Sequence, residues 1–282
     1  MLKIQDFSYH SHTTFSDGHD TAVAMIRRAK AIGFSELGIS DHLMVHKNMW
    51  QSRSCCVNPN MLQQPEIYCT DFKQILESFQ RHCDELRQLS KAENFKIHIG
   101  FEVDFFTYNG WFEELQWFLA QLDYDYIITG NHFLFDENCA QLINLTDLPK
   151  LYRDKAIYQD YLQRHFQTMA QAVNSGLFKF LAHIDYARKL GDDICGPDDF
   201  WAEKIAILNA LEASDCSMEI STKGLRKVGD FYPSGNILAE VAKRKIAMVI
   251  SDDAHQIGEV GANFADAEAT LQKYGICRRL HF

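Results

Sequence analysis

Apolar positions along this 282-residue chain follow two rhythms that alternate from end to end. Short runs rich in β-branched and aromatic residues, near residues 7–9, 36–40, 96–102, 126–129, 178–182, 217–221 and 246–250, have the length and composition of strands. Between them, apolar residues recur at helical spacing over residues 21–32, 71–91, 111–121, 154–175, 199–213, 236–243 and 263–274. Asp20, Thr70, Asp154 and Asp198 stand where N-caps are expected, and Gly33 and Gly176 where helices should stop. Seven strands each followed by a helix predict an α/β fold of repeated βα units, a parallel sheet or barrel. Residues 43–69 fit neither rhythm, and a connection of that length is either a lid or substrate loop or a disordered surface insertion.

Composition narrows this picture. Apolar residues make up 46% and charged residues 23%, without a Pro/Gly/Ser-rich stretch, charge block or short repeat, so one domain over residues 1–282 is expected. The net charge of -10 argues against stable nucleic-acid binding, which needs clustered Lys and Arg. It does not exclude an anionic small molecule, because metal ions held by acidic residues would set the local field. The opening residues lack a basic segment followed by a long apolar run, so neither a signal peptide nor a membrane span is expected, and a cytoplasmic location is. Eight cysteines (55, 56, 69, 83, 139, 195, 216 and 277) form no paired C-x-x-C array and read as free thiols.

The chemistry lies at the strand ends. His10 and His12 follow the first strand, Asp41 and His42 the second, Glu102 closes the third and His132 follows the fourth. His183 follows the fifth, and Asp253 and His255 the seventh. Parallel barrels build active sites at this rim. In His10-Ser11-His12 and Asp253-Ala254-His255, strand alternation puts both outer side chains on one face, able to reach one ion. Imidazole with carboxylate and no nearby thiolate suits zinc, manganese or iron. His82, His98, His165 and His281 read as packing or surface residues, and Trp111, Phe112, Leu115, Trp117 and Phe118 as a barrel-facing stripe. Asp41, Asp104 and Asp185 are expected to orient imidazoles.

The stretch Tyr9-His10-Ser11-His12-Thr13-Thr14-Phe15-Ser16-Asp17-Gly18 resembles the opening motif of the PHP (polymerase and histidinol phosphatase) family. Ile39-Ser40-Asp41-His42, Gly100-Phe101-Glu102-Val103-Asp104, Gly130-Asn131-His132-Phe133, Ala182-His183-Ile184-Asp185 and Ser251-Asp252-Asp253-Ala254-His255 follow in the family's order. Ser221-Thr222-Lys223-Gly224-Leu225-Arg226-Lys227, Tyr232-Pro233-Ser234 and Gly258-Glu259-Val260-Gly261 resemble its histidinol-phosphate phosphatase branch in particular. The resemblance implies a distorted (β/α)7, TIM-like barrel with two or three divalent zinc, manganese or iron ions. It implies a first ion on His10, His12, Glu102 and Asp253, with Glu102 bridging to a second on His132 and His183. A third would sit on Asp17, His42 and His255. Many members of the branch carry a histidine near Asp17, which leaves His19 as the alternative ligand.

The implied activity is hydrolysis of a small phosphate monoester, L-histidinol phosphate to L-histidinol in histidine biosynthesis. A metal-bridging hydroxide would be the nucleophile, Glu102 and Asp253 the catalytic carboxylates, and Arg226, Arg188 and Lys189 the substrate-phosphate residues. Alternatives are a PHP phosphoesterase acting on nucleotides or another phosphate ester, and a metal-stabilised module without catalysis. Oligomeric state is not readable from the sequence.

Overall fold

A computed structural model of the chain describes residues 4–57, 61, 64, 67–136, 141–244 and 246–282. Its ten strands are β1 (Phe7–Ser8), β2 (Glu36–Val45), β3 (Tyr68–Cys69), β4 (Lys96–Val103), β5 (Tyr126–Thr129), β6 (Phe133–Asp136), β7 (Gln141–Asn144), β8 (Phe180–Leu181), β9 (Ser217–Ser221) and β10 (Met248–Ser251). The helices are α1 (Ala22–Ala31), α2 (Arg53–Val57), α3 (Phe72–Glu93), α4 (Trp111–Leu119), α5 (Leu148–Leu151), α6 (Lys155–Asn174), α7 (Trp201–Glu212), α8 (Lys223–Val228), α9 (Gly235–Arg244) and α10 (Phe264–Lys273). Parallel strands run in the order β1-β2-β4-β5-β8-β9-β10, the seven expected from the apolar runs. The result is a distorted seven-stranded TIM-like barrel.

Strand alternation sorts the residues between two cores. Leu37 and Ile39 of β2, Ile97, Ile99 and Phe101 of β4, Met218 and Ile220 of β9, and Met248 and Ile250 of β10 pack with the helices in one cluster. Tyr9, Tyr126, Ile128, Phe180, Ala182 and Val249 form a separate cluster that fills the lower lumen. The helices follow from their apolar stripes. In α3, Phe72, Ile75, Phe79, Cys83 and Leu86 are buried at spacings of three and four, Asp71 caps the start through Lys73 N, and Asn94 ends it in the left-handed region.

The seam between β1 and β10 is not a full ladder. Gln5 substitutes for a neighbouring strand: its Nε2 donates to Ile250 O (2.6 Å) and its Oε1 accepts from Ile250 N (3.1 Å). Higher up, Ser11 and Ala254 form an isolated parallel bridge, with His12 N donating to Ala254 O (2.8 Å). Below, Leu280 N donates to Met248 O, and Phe282 packs on Tyr9 and Tyr126.

Several expectations need correction. β2 continues to Val45, because β4 pairs with it through Leu43 and β3 with Met44 and Val45, so Asp41 and His42 lie inside a strand rather than after it. The described parts of residues 43–69 are packed structure rather than a loose insertion: Met49, Cys55, Met61 and Ile67 are buried, and Asn144 N donates to Ser54 Oγ (2.7 Å). Residues 58–60, 62, 63, 65 and 66 of that segment lie outside the described residues. The β6–β7 hairpin and α8 were not expected. Thr21 and Asp71, not Asp20 and Thr70, are the caps, and α7 begins after Phe200 rather than at Asp199. On α4, Trp111, Leu115 and Phe118 are buried, but Trp117 points to solvent, since it lies off the stripe they define.

Gly38 and Gly100 make room for the Tyr126 ring, whose hydroxyl donates to Tyr9 O (2.6 Å); a Cβ at either glycine would overlap that side chain. Gly100→Ala should therefore destabilise the fold by about 1–3 kcal/mol, the usual cost of overpacking, read as a lower urea midpoint. An unchanged midpoint would mean that Tyr126 can move aside freely.

Candidate metal centre

The upper lumen is lined by groups that seldom share a protein interior. Glu102, projecting inward from β4, lies within 3.0–3.7 Å of five imidazoles: His183 (3.0 Å), His42 (3.2 Å), His10 (3.3 Å), His12 (3.4 Å) and His132 (3.7 Å). Asp253 Oδ1 is 3.3 Å from His12 Nε2 and 3.6 Å from His10 Nε2. On the outer side Asp17 Oδ1 approaches His255 Nε2 (3.3 Å), His42 Nε2 (3.4 Å) and His12 Nδ1 (3.8 Å). Their donor atoms converge as four overlapping groups: His12, Asp17, His42 and His255; His10, His12 and Glu102; His10, His183 and Asp253; and His42, Glu102 and His132. All nine ligand candidates are thus brought together. His10, His12 and His42 each belong to two groups rather than to the single ion the motifs imply for each. His19 is in none of them, and its side chain is exposed.

The backbone turns these side chains inward. Asn131, His183 and Asp253, each just past a strand end, have φ of 47°, 21° and 47°, a left-handed conformation costly to residues with a Cβ. At Asn131 the side chain offsets that cost by bonding Thr129 Oγ1 and Phe105 N. Gly130 is required where it stands, because a Cβ there would strike both Glu102 and His183.

Electrostatics are extreme because seven of the nine are buried. Burial opposes ionisation of Glu102, but His132, His10 and His42 outweigh it and hold the carboxyl well below its ordinary range. Asp253 is likewise depressed against its burial, by Lys223, His10 and His12. Burial also disfavours charge on His10, yet Asp253, Glu219 and Glu102 raise its pKa well above the usual imidazole value. Nevertheless His10 Nε2, both His12 nitrogens, Asp17 Oδ1, His42 Nδ1, Glu102 Oε2 and Asp253 Oδ1 are buried without a hydrogen-bond partner. Unpaired buried polar atoms of mixed imidazole and carboxylate type, pointing at shared points, are the donor set of a divalent transition metal. The residues therefore fit the group.

A surrounding layer holds the imidazoles in place. Glu219 accepts from His10 Nδ1 (2.9 Å), from His183 N (2.7 Å) and from Ser251 Oγ. Asp104 accepts from His132 Nδ1 (3.0 Å), His132 N (3.1 Å) and Phe133 N (2.7 Å), as expected of it. Asp41 differs: its imidazole is His82 (3.1 Å), stacked on Phe15, and its other bonds hold Thr13 and Ser16 in the loop that carries Asp17. Asp185 binds no imidazole; it accepts from Ser234 N (2.9 Å) and pairs with Arg188 (3.4 Å). Sequence reasoning missed Glu219 and Lys223. Glu219 could have been found from parity, since Met218 and Ile220 beside it are apolar and must face the helices. Lys223 Nζ lies 2.9 Å from Asp253 Oδ2, within the same motif as Arg226.

Among the expected phosphate residues, Arg226 donates from Nη2 to Asp252 O (2.7 Å) and pairs through Nε with Glu259 (3.3 Å), while its Nη1 is buried without a partner. Arg188 is held by Asp185, Asp230 (3.2 Å) and Phe231 O. Lys189 donates to Tyr186 Oη (3.1 Å), beside His132 and His183.

Imidazoles and carboxylates gathered at the carboxyl ends of barrel strands define a metal-binding barrel of the hydrolase type. The sequence profile of the PHP domain matches residues 8–223, and the chain belongs to that family. It is 29% identical to a Deinococcus radiodurans protein named probable histidinol-phosphatase, covering 76% of this chain and 79% of that one. It is 23% identical to the histidinol-phosphatase of Bacillus subtilis, covering 94% and 97%. The crystal structure of histidinol phosphate phosphatase from Lactococcus lactis, complexed with zinc, L-histidinol and phosphate, superposes with a TM-score of 0.72 at 19% identity, covering 99% of this chain and 97% of that one.

Glu219→Gln would set an amide N–H against the donors of His10, His183 or Ser251. Zinc affinity should fall about 10–100-fold, the usual loss when a partner orienting a ligand is removed, measured by competition with a chelator. Affinity within twofold of wild type would show that His10 needs no such support.

Proposed function

We propose that this chain is a metal-dependent phosphatase that hydrolyses L-histidinol phosphate to L-histidinol and phosphate, the reaction named for its Deinococcus and Bacillus relatives. The observation that carries this reading is the convergence of nine candidate ligand side chains, seven of them buried, at one barrel mouth, with inward atoms of His10, His12, Asp17, His42, Glu102 and Asp253 unpaired. His10, His12, Glu102 and Asp253 would hold one ion, Glu102 with His132 and His183 a second, and Asp17, His42 and His255 a third. Two or three ions of zinc, manganese or iron would supply the Lewis acidity that activates water and offsets charge on the phosphoryl oxygens.

The chain's own residues do the rest. Glu219 and Asp104 hold His10 and His132 in orientation, and Asp41 holds the loop bearing Asp17. Arg226, through its unpaired Nη1, with Arg188 and Lys189, would bind the substrate phosphate. No protein nucleophile is needed, and the thiols suit none: burial pushes Cys83, Cys195 and Cys216 up to about 12. Among the described residues Cys55, Cys69 and Cys277 belong to no ligand group, while the Cys56 side chain and Cys139 lie outside them. The substrate is a small molecule. Among the described residues no helix is long and apolar enough to cross a membrane.

Purified protein should release phosphate from L-histidinol phosphate, lose that activity to a chelator and regain it with zinc, manganese or iron. In a single turnover in heavy-oxygen water, one label should enter each phosphate. Arg226→Ala should lose at least ~2 kcal/mol in kcat/KM, typical of one removed charge-stabilising donor, with metal content unchanged. Chelator-insensitive turnover or a trapped phosphoenzyme would contradict the metal reading, and failure on histidinol phosphate with turnover of another monoester would move the substrate.

A further inference from the structure

Lys223 is the cationic side chain at the mouth that meets a candidate ligand directly, Asp253. Three constraints fix its backbone at the start of α8. Thr222 N donates to Ser251 O (2.9 Å), Ser221 bridges Tyr232, and Lys223 N donates to Ser221 Oγ (3.3 Å). Gly224 then approaches the 230–232 backbone so closely that a Cβ would overlap Asp230 O. The end of β9 is thereby tied to the end of β10, and the ammonium reaches Asp253 at 2.9 Å.

The two oxygens of Asp253 have different surroundings. Oδ1 faces His12 Nε2 (3.3 Å), His255 Nδ1 (3.5 Å) and His10 Nε2 (3.6 Å) and has no hydrogen-bond partner. Oδ2 carries Lys223, and its next neighbour is His183 Nε2 at 3.9 Å. A carboxylate beside a dication can ligate through one oxygen or both, and the second mode fills a coordination position that a catalytic site must keep open.

We infer that Lys223 is a positioning residue that occupies Asp253 Oδ2, restricts Asp253 to ligation through Oδ1 alone, and so keeps a coordination position open for the reactants. This rests on the metal reading above. Its second consequence is electrostatic: one positive charge beside the cluster weakens retention of the ion, so its removal should slow release, whereas removing a side chain that merely held the fold would loosen the site and speed release.

The test uses the full-length protein as wild type, K223M, K223R and K223Q, each loaded with zinc. Metal per chain comes from elemental analysis, zinc release from a chromogenic chelator, and turnover from L-histidinol phosphate. K223M should stay folded, keep its zinc, release it at least about fivefold more slowly and lose about tenfold or more in kcat, with KM changed less. K223R, which keeps the charge, should release zinc within about twofold of wild type. If K223M does not fold, K223Q carries the same expectation of slower release, since it too lacks the charge. Zinc release at the wild-type rate or faster in the neutral variant overturns the inference alone. A wild-type chain that takes up no zinc, manganese or iron overturns the metal reading and this inference with it.

Discussion

Glu102 sits at the centre of five imidazoles in a place water does not reach, and the upper half of the molecule is arranged around that fact. Bringing so many polar atoms out of water costs several kcal/mol for each one left unpaired. Rigid strands on every side resist collapse of the cluster onto itself, and Glu219, Asp104 and Asp41 bind outer polar atoms, while inward atoms of His10, His12, Glu102 and Asp253 lack partners. Left-handed residues at three strand ends add to the cost. A polypeptide tolerates such an arrangement when a cation recovers the energy, which is why the cluster reads as a binding site rather than as packing.

Most of the barrel was legible because its strands are short apolar runs and its helices carry regular stripes. The site was legible for a related reason: His10, His12, Glu102, His132, His183, Asp253 and His255 interrupt apolar patterning at strand ends, where nothing about packing asks for them. What escaped depends on tertiary contact. β2 runs five residues further than its apolar run because β4 pairs with it as far as Leu43 and β3 returns to pair with Met44 and Val45, contacts no local pattern encodes. The β6–β7 hairpin is four residues a side and carries no strong turn signal among its described residues. Glu219 stands alone in a strand without a motif, and Lys223 hides in a motif whose arginine draws the eye. Trp117 shows the opposite error, in which an aromatic residue near a stripe was read as part of it.

The elements beyond the seven-strand frame share one location. The extension of β2, the strand β3, the turn at Met49–Gln51, helix α2 and the β6–β7 hairpin contact one another on the rim above His42 and His132. His46 belongs to this wall. It is buried among Phe106, Tyr108 and Phe135, and its Nδ1 accepts from Asn48 N. Both burial and Lys47 keep its pKa down, to about 3, so it is a neutral wedge between the two parts of the wall. A frame shared by a whole fold class thus carries an insertion whose apolar contacts, rather than its chemistry, shape the approach to the mouth.

The seam between β1 and β10 gives the barrel a mechanical character. Six other strand junctions are ladders of backbone bonds, whereas this one is a glutamine side chain and two isolated bridges, Ser11 with Ala254 and, in the last residues, Arg279 with Met248. His10 and His12 stand on one side of it, Asp253 and His255 on the other. An ion held from both sides would act as a clasp across a split ring.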